Sequence, residues 1–330
     1  MPRRTWRTGH WALGTGALLA ESTEDRKTPM PTTITENDPL LTRGLRPDRV
    51  AYATGALLGA EDFAAEQGYH RGRLARALAY LHGAGTVAGL RVESEAPDPD
   101  DPRPEDGERI RIRPGMALDP EGRIIEVPTT YCTRLNRWLA SVPAAERTRG
   151  FIARAAAIAA GMVSEAAAPP NGLFAVDVFL RFVECERGKT PAFATGPFDA
   201  LDAVAPSRLR DGFEASLVLR QEGPPPPFPP DPWGTLAGTT PAARRTEMAE
   251  KILDGWHEGT DSFDERGRRT HLGGYAQGQE RNEVFLARLL VPARPSGAEH
   301  VRDTQGTLAV DNSRRLFVYA AGALARIIAG

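Results

Sequence analysis

A chain of 330 residues, 41% apolar and 25% charged, can form one large domain or two ordinary ones and can bury a core. Its net charge of -2 lacks the basic balance of a nucleic-acid-binding domain, so nucleic acid is not an expected partner. Nothing in it approaches the ~18–20 apolar residues that span a bilayer. Its cysteines, Cys132 and Cys185, form no CxxC or Cys/His cluster, which argues against structural zinc and leaves two buried thiols as the expectation.

Residues 1–45 read as a disordered extension. MPRRTWRTGHW followed by ALGTGALLA imitates a signal peptide, but glycine and threonine interrupt its short apolar run. The protein is therefore expected to be made in the cytoplasm, with Met30 as an alternative start.

Residues 46–150 read as a helix–turn–hairpin lobe. In Gly55–Val92 the spacing of Phe63, Gln67, His70, Leu74, Leu78 and Leu81 predicts one helix with these residues on its inner face. Glu61 and Asp62 open it, Arg76 and His82 close it, and Gly83 and Gly85 stop it ahead of a strand, TVAGLRVE. Ala96–Glu108, rich in proline and acid, is an exposed loop rather than a calcium site. RIRIRPGMALDPEGRIIEVP reads as a hairpin in which Ile110 and Ile112 face a return strand of Ile124, Glu126 and Val127 across the turn Asp119–Gly122. Tyr131–Val142 is expected as a short helix packing Leu135, Trp138 and Leu139 on that hairpin.

Phe151–Ala168 is expected as an alanine-rich helix, and 151–170 as the bridge to a second, α+β lobe over 171–330. Leu173–Val183 is a strand covered on both faces, and Phe213–Arg220 a second strand. Arg208 and Arg210, just before it, suit solvated contacts. Gly223–Trp233 is a polyproline stretch, a stiff spacer or bait for an aromatic groove. A helix from Pro241 to Trp256 follows, then a long mobile loop over Glu258–Glu283, a strand over Glu283–Pro292 and a short run, Thr307–Val310, to pair with it. Ser313 is expected to cap a last helix that buries Leu316, Tyr319, Ala320, Ala323, Leu324 and Ile327. The class this predicts is α+β, with short antiparallel strands and hairpins, several packed helices and long surface loops.

Nucleophile elbows, P-loops, HExxH pairs and dinucleotide fingerprints are absent. His70 and His82 stand about 18 Å apart along one helix and cannot share a metal. His70 is expected as a hydrogen-bonded core histidine and His82 at free carbonyls of the helix end; His257 and His271 have no evident partner. No catalytic residue, cofactor or metal is expected. A hydrolase built on two carboxylates stays open, since such a pair leaves no local spacing.

Several stretches, in order, resemble a bacterial family associated with phage-tail-like contractile injection systems. They are GALLGAEDFAAEQGYHRGRLARALAYLHGAGTVAGLRV, IRIRPGMALDPEGRIIEVP, FLRFVEC with PSRLRDGFEASLVL, and FLARLLVP with SRRLF. The resemblance implies a structural part of the tail near the baseplate or tail fibres. Its partners would be other tail or baseplate proteins, with self-association open, and it would work in an assembled particle that acts outside the cell. Phe63 belongs to the same helix, whose Glu66, Gln67, Tyr69, His70, Arg71, His82, Gly83, Gly89 and Leu90 match the family pattern; Gly115, Asp119 and Gly122 match its hairpin. Ala79 and Ala84 depart from it, standing where asparagine and tryptophan are usual. The alternative functions are a particle-associated glycan-binding module or cell-wall hydrolase, and an adaptor working through the proline segment.

Overall fold

A computed structural model describes residues 18–19, 49–96, 108–191, 204–229, 236–253 and 282–329. The fold is α+β, with helices packed on antiparallel strands. Its centre is β9 (Gly172–Pro191), where Leu173–Leu180 are almost wholly buried on both faces, as a run apolar at all but Asp177 predicts. β10 (Val204–Leu219) lies along one side of β9 and β11 (Glu283–Ser296) along the other, both antiparallel. β12 (Glu299–Arg302) and β13 (Ala309–Asp311) extend the sheet beyond β11, β13 being the short run expected there. β8 (Phe151–Ala153) pairs with Gly172–Phe174 at the start of β9, on the side that β10 takes from Val176 onward, and β1 (Leu18–Leu19) pairs with the outer side of β10.

A second layer comes from three strands that each bend midway and so belong to two small sheets. β2 (Gly85–Gly89) continues as β3 (Val92–Glu95), β4 (Arg109–Ile112) as β5 (Gly115–Leu118), and β6 (Ile124–Val127) as β7 (Tyr131–Arg134). β5 and β6 form the hairpin across Asp119–Gly122, with Leu118 opposite Ile124. The expected partner of Ile110 and Ile112 is therefore corrected. They face Thr133 and Tyr131 on one side and Ser94 and Val92 on the other. Ile125 and Val127 point inward, whereas Ile124 is exposed. One core joins Leu90, Ile110 and Ile125 of this layer to Phe174, Leu180 and Leu289 of the large sheet.

Helix α1 (Ala60–His82) spans most of its expected length but shows solvent a different face. Ala75 and Ala79 are buried, while Phe63 is 54% exposed, Leu74 56% and Leu81 77%. α2 (Leu135–Ser141) buries Leu135, Trp138 and Leu139 as predicted, starting after β7 rather than at Tyr131. α3 (Ala144–Gly150) leads into β8. The long alanine-rich helix expected from Phe151 is instead β8, α4 (Arg154–Ala159) and turns, docked on the sheet through Ile152 and Ala157. α5 (Pro241–Leu253) begins at its proline, with Thr240 Oγ1 accepting from Ala243 N at 3.1 Å.

The chain end also departs from expectation. Ser313 donates to Asp311 instead of capping a helix. Residues 312–318 run beside β2 and β3: Thr86 N donates to Leu316 O at 2.9 Å and Val318 N to Thr86 O at 2.9 Å. Arg315 Nη1, buried there, donates to Leu90 O at 2.7 Å. Burial, then Arg91, pulls its guanidinium down to about 10. α6 (Ala321–Ala329) starts later, and Tyr319, Leu324 and Ile327 are exposed. Both cysteines are free, but Cys132 is exposed and Cys185 half-buried, which corrects the expectation of buried thiols. Among the described residues no helix is long and apolar enough to cross a membrane. The acidic loop after Ala96, the loop from Glu258, His257, His271 and nearly all of 1–45 lie outside the described residues.

Candidate functional site

Of the helix and hairpin residues singled out in the sequence, Arg71, Asp119 and Gly122 lie at one joint between α1, the β5–β6 turn and β9. Its base is the β5–β6 turn. Asp119 is fully buried; Oδ1 accepts from Glu121 N at 2.9 Å and Arg123 N at 2.8 Å, and Oδ2 accepts from Arg123 Nε at 2.6 Å. Gly122 closes the turn at φ +82°, and α1 lies so close that a Cβ there would sit 1.8 Å from Ala75 O and 2.9 Å from Ala79 N. Small residues on this side of α1, Ala75 and Ala79, permit the approach. Arg71 then ties the helix to β9 through Glu184 Oε1 at 2.5 Å, and the Arg123 guanidinium lies over the Phe182 ring, 4.8 Å from its centroid. Burial pushes the Asp119 carboxyl above its usual range, against the pull of Arg123.

The other residues of the set take lesser places. Gly83 ends α1, its N–H donating to Ala79 O at 3.0 Å. Gly89 (φ +63°) and Gly115 face each other where the bent strands touch; a Cβ on Gly89 would fall 2.1 Å from Pro114 O, and one on Gly115 2.3 Å from Ala88 O. Leu90, fully buried, follows at φ 56°. His70 is not in the core: it is exposed, and its Nε2 bonds Glu66 Oε1 at 2.8 Å, one turn away on the same helix. Tyr69 meets its ring edge-on at 5.3 Å. Gln67 and His82 are exposed, and His82 makes no hydrogen bond to the described residues, so the expected contact with helix-end carbonyls is not formed among them.

A second polar cluster escaped the sequence reading. Asp177, buried in the middle of β9, accepts from Arg288 Nε at 2.7 Å and Nη2 at 2.9 Å, with Arg220 Nη1 3.6 Å away. Arg288 also donates to Pro226 O at 2.7 Å and Pro227 O at 2.9 Å, and lies 3.7 Å from the centroid of Phe228. The proline segment is thus strapped to the sheet by its carbonyls and is not a free spacer over these residues. The available signal was a charge inside each of two strongly apolar runs, AVDVFL and FLARLL.

In these two clusters the buried carboxylates are paired with arginine, Asp119 with Arg123 and Asp177 with Arg288. The cavity between the two layers, lined by Ile110, Tyr131, Trp138, Val178 and Leu217, has a volume of about 10 Å³, no more than one water needs. Among the described residues no group of three or more His, Cys, Asp or Glu could hold a metal ion.

Tyr131, at that cavity, gives a test of the packing. Burial, then Cys132 and Glu214, pushes its phenol up to about 12. The folded value lies above the unfolded one near 10, so the stability it carries is complete below pH 10 and lost as pH rises through 12. Two pH units of separation correspond to about 3 kcal/mol. Denaturant melts of the wild type and Tyr131→Phe are expected to diverge in slope between these pH values, with the variant the flatter; parallel curves would show that the ring is not buried.

No protein-family model matches the chain, and no curated protein matches it.

Proposed function

We propose that this protein is a non-enzymatic structural subunit of a phage-tail-like contractile injection particle, sited near the baseplate or fibres. The observation that carries the proposal is the orientation of α1. It buries small residues and offers Phe63, Leu74 and Leu81 to solvent, joined by the neighbouring Leu57. Large apolar side chains exposed along one helix suit a surface that another protein covers. The resemblance of the helix and hairpin to the tail-associated family names the kind of particle. The interior supports the same reading, since its buried charges join elements together. Made in the cytoplasm, the protein would act within the assembled particle, with other tail and baseplate proteins as its partners.

The test is sedimentation of tagged protein with purified particles. Wild-type protein is expected in the particle fraction at a fixed ratio to the other components. Replacing Phe63, Leu74 and Leu81 together by serine removes no core contact, so stability should change by at most about 0.5 kcal/mol per site. Incorporation should fall at least tenfold. Protein that stays wholly outside the particle fraction, or a triple variant that incorporates like wild type, would count against this surface as the point of attachment.

A further inference from the structure

The hairpin of β9 and β10 outruns the sheet that supports it. Among the described residues β11 pairs with β9 only as far as Arg181, whereas β10 follows β9 out to Pro191, so that these form a two-stranded ribbon past Arg181. Alternate residues of a strand face opposite sides. The register sets Arg187 opposite Arg208, Cys185 opposite Arg210 and Lys189 opposite Pro206, so one face holds Arg187, Lys189, Arg208 and Arg210. The other face holds Glu186 opposite Leu209 and Asp211 opposite Glu184.

Among the described residues both faces lack partners for most of their charges. Lys189, Arg208, Arg210 and Asp211 are exposed, Arg187 and Glu186 are half-buried, and none of them has an ion pair among the described residues. Glu184 alone is engaged, by Arg71. Like charges directly across a strand pair, as in Arg187 and Arg208, destabilise it, and a two-stranded ribbon alone in water is marginal. Leu209, between the carboxylates, is 56% exposed. A polyanion would satisfy the cations but leave Glu186, Asp211 and Leu209 unaccounted for. A surface of this same shape would satisfy both faces at once.

We propose that the ribbons of two copies stack face to back, with the cationic side of one on the Glu186–Leu209–Asp211 side of the next. Attraction between the charges aligns the copies, and Leu209 supplies the apolar contact. The two surfaces that meet are different, so each added copy keeps one of each kind open. Such a contact grows into a ring or a row instead of ending at a dimer. The proposal deepens the assembly reading and rests on it.

The experiment is sedimentation velocity on the full chain at about 50 mM and about 500 mM salt, the range over which screening shortens several-fold. Wild type is expected above the mass of one chain at low salt and as a monomer at high salt. Arg208→Gln/Arg210→Gln neutralises one face and Glu186→Gln/Asp211→Asn the other. Each double variant alone should associate at least tenfold more weakly, with circular dichroism and melting temperature unchanged. Mixed in equal amounts, they should form a one-to-one dimer that grows no further, because each keeps one intact face. Wild type that stays monomeric at low salt, or variants that associate as it does, would overturn the stacking. So would monomeric protein whose cationic face binds duplex DNA or inorganic polyphosphate. Particles that take up both double variants at the wild-type ratio would also overturn it, while leaving the assembly reading in place.

Discussion

Gly122→Ala is expected to cost about 2–6 kcal/mol, from roughly 1–3 for a side chain in a left-handed conformation and a similar overpacking term. Alanine adds one methyl, and at φ +82° that methyl points at the helix backbone, 1.8 Å from Ala75 O. No rotamer relieves the clash, so α1 must lift or the β5–β6 turn must open. Lifting α1 strains the Arg71–Glu184 bridge, and opening the turn breaks the hydrogen bonds that satisfy buried Asp119. Urea denaturation gives the loss, and hydrogen exchange over 60–82 shows which element moves. A loss below about 1 kcal/mol, with unchanged protection of α1, would mean that the helix does not lie on this turn.

Arg288→Met removes the two-point partner of Asp177 and leaves a buried carboxylate with Arg220 3.6 Å away. Breaking a buried pair from one side typically costs about 3–5 kcal/mol, and replacing both partners costs far less. The double variant Asp177→Asn/Arg288→Met should therefore regain much of what the single one loses. The proline strap gives a second readout. Without the guanidinium that binds the Pro226 and Pro227 carbonyls, the chain near Phe228 should become open to proteolysis in both variants. The pH dependence follows from the carboxyl. Burial already holds Asp177 above its usual range, and the Arg288 hydrogen bond is the largest influence opposing that rise. Removing it moves the folded value further above the unfolded one near 4. The single variant should then lose additional stability as pH rises through that folded value, and the double variant should lose none from this source. A single variant as stable as wild type would mean that the strap and pair do not hold the sheet.

Several elements could be read directly from the sequence. Leu173–Val183 and Glu283–Pro292 are long apolar runs, and burial on both faces is the state such runs favour. The turn at Asp119–Gly122 was legible from its own residues. The orientation of α1 was not, because periodicity weighs large side chains most heavily. Here contact is made by Ala75 and Ala79, which bury little area but let two backbones approach. The ladder of Ile110 was misplaced because each strand of the second layer bends in the middle, at Gly89–Leu90 and Arg113–Pro114, so one apparent strand serves two sheets. The last helix was misjudged because Ser313 turns back to Asp311 and Arg315 reaches into the gap beside Leu90, both choices of tertiary contact over local propensity.

The same distinction runs through the candidate site. Asp119 and Arg123 stand four residues apart and bracket a turn, so their pairing was accessible. Asp177 and Arg288 come from strands far apart in the chain and become neighbours only through the β9–β11 register. His70 lay on the stripe expected to be buried. Once small residues set the rotation of α1, that stripe turns to solvent and His70 is left with Glu66.

The most direct measurement is electron microscopy of tail-like particles from a strain lacking this protein, beside the same strain carrying it back. A structural subunit near the baseplate or fibres predicts particles that lack that region or fail to assemble, restored when the protein returns. Complete particles of wild-type form from the deletion strain, together with protein that never sediments with them, would contradict the assembly role.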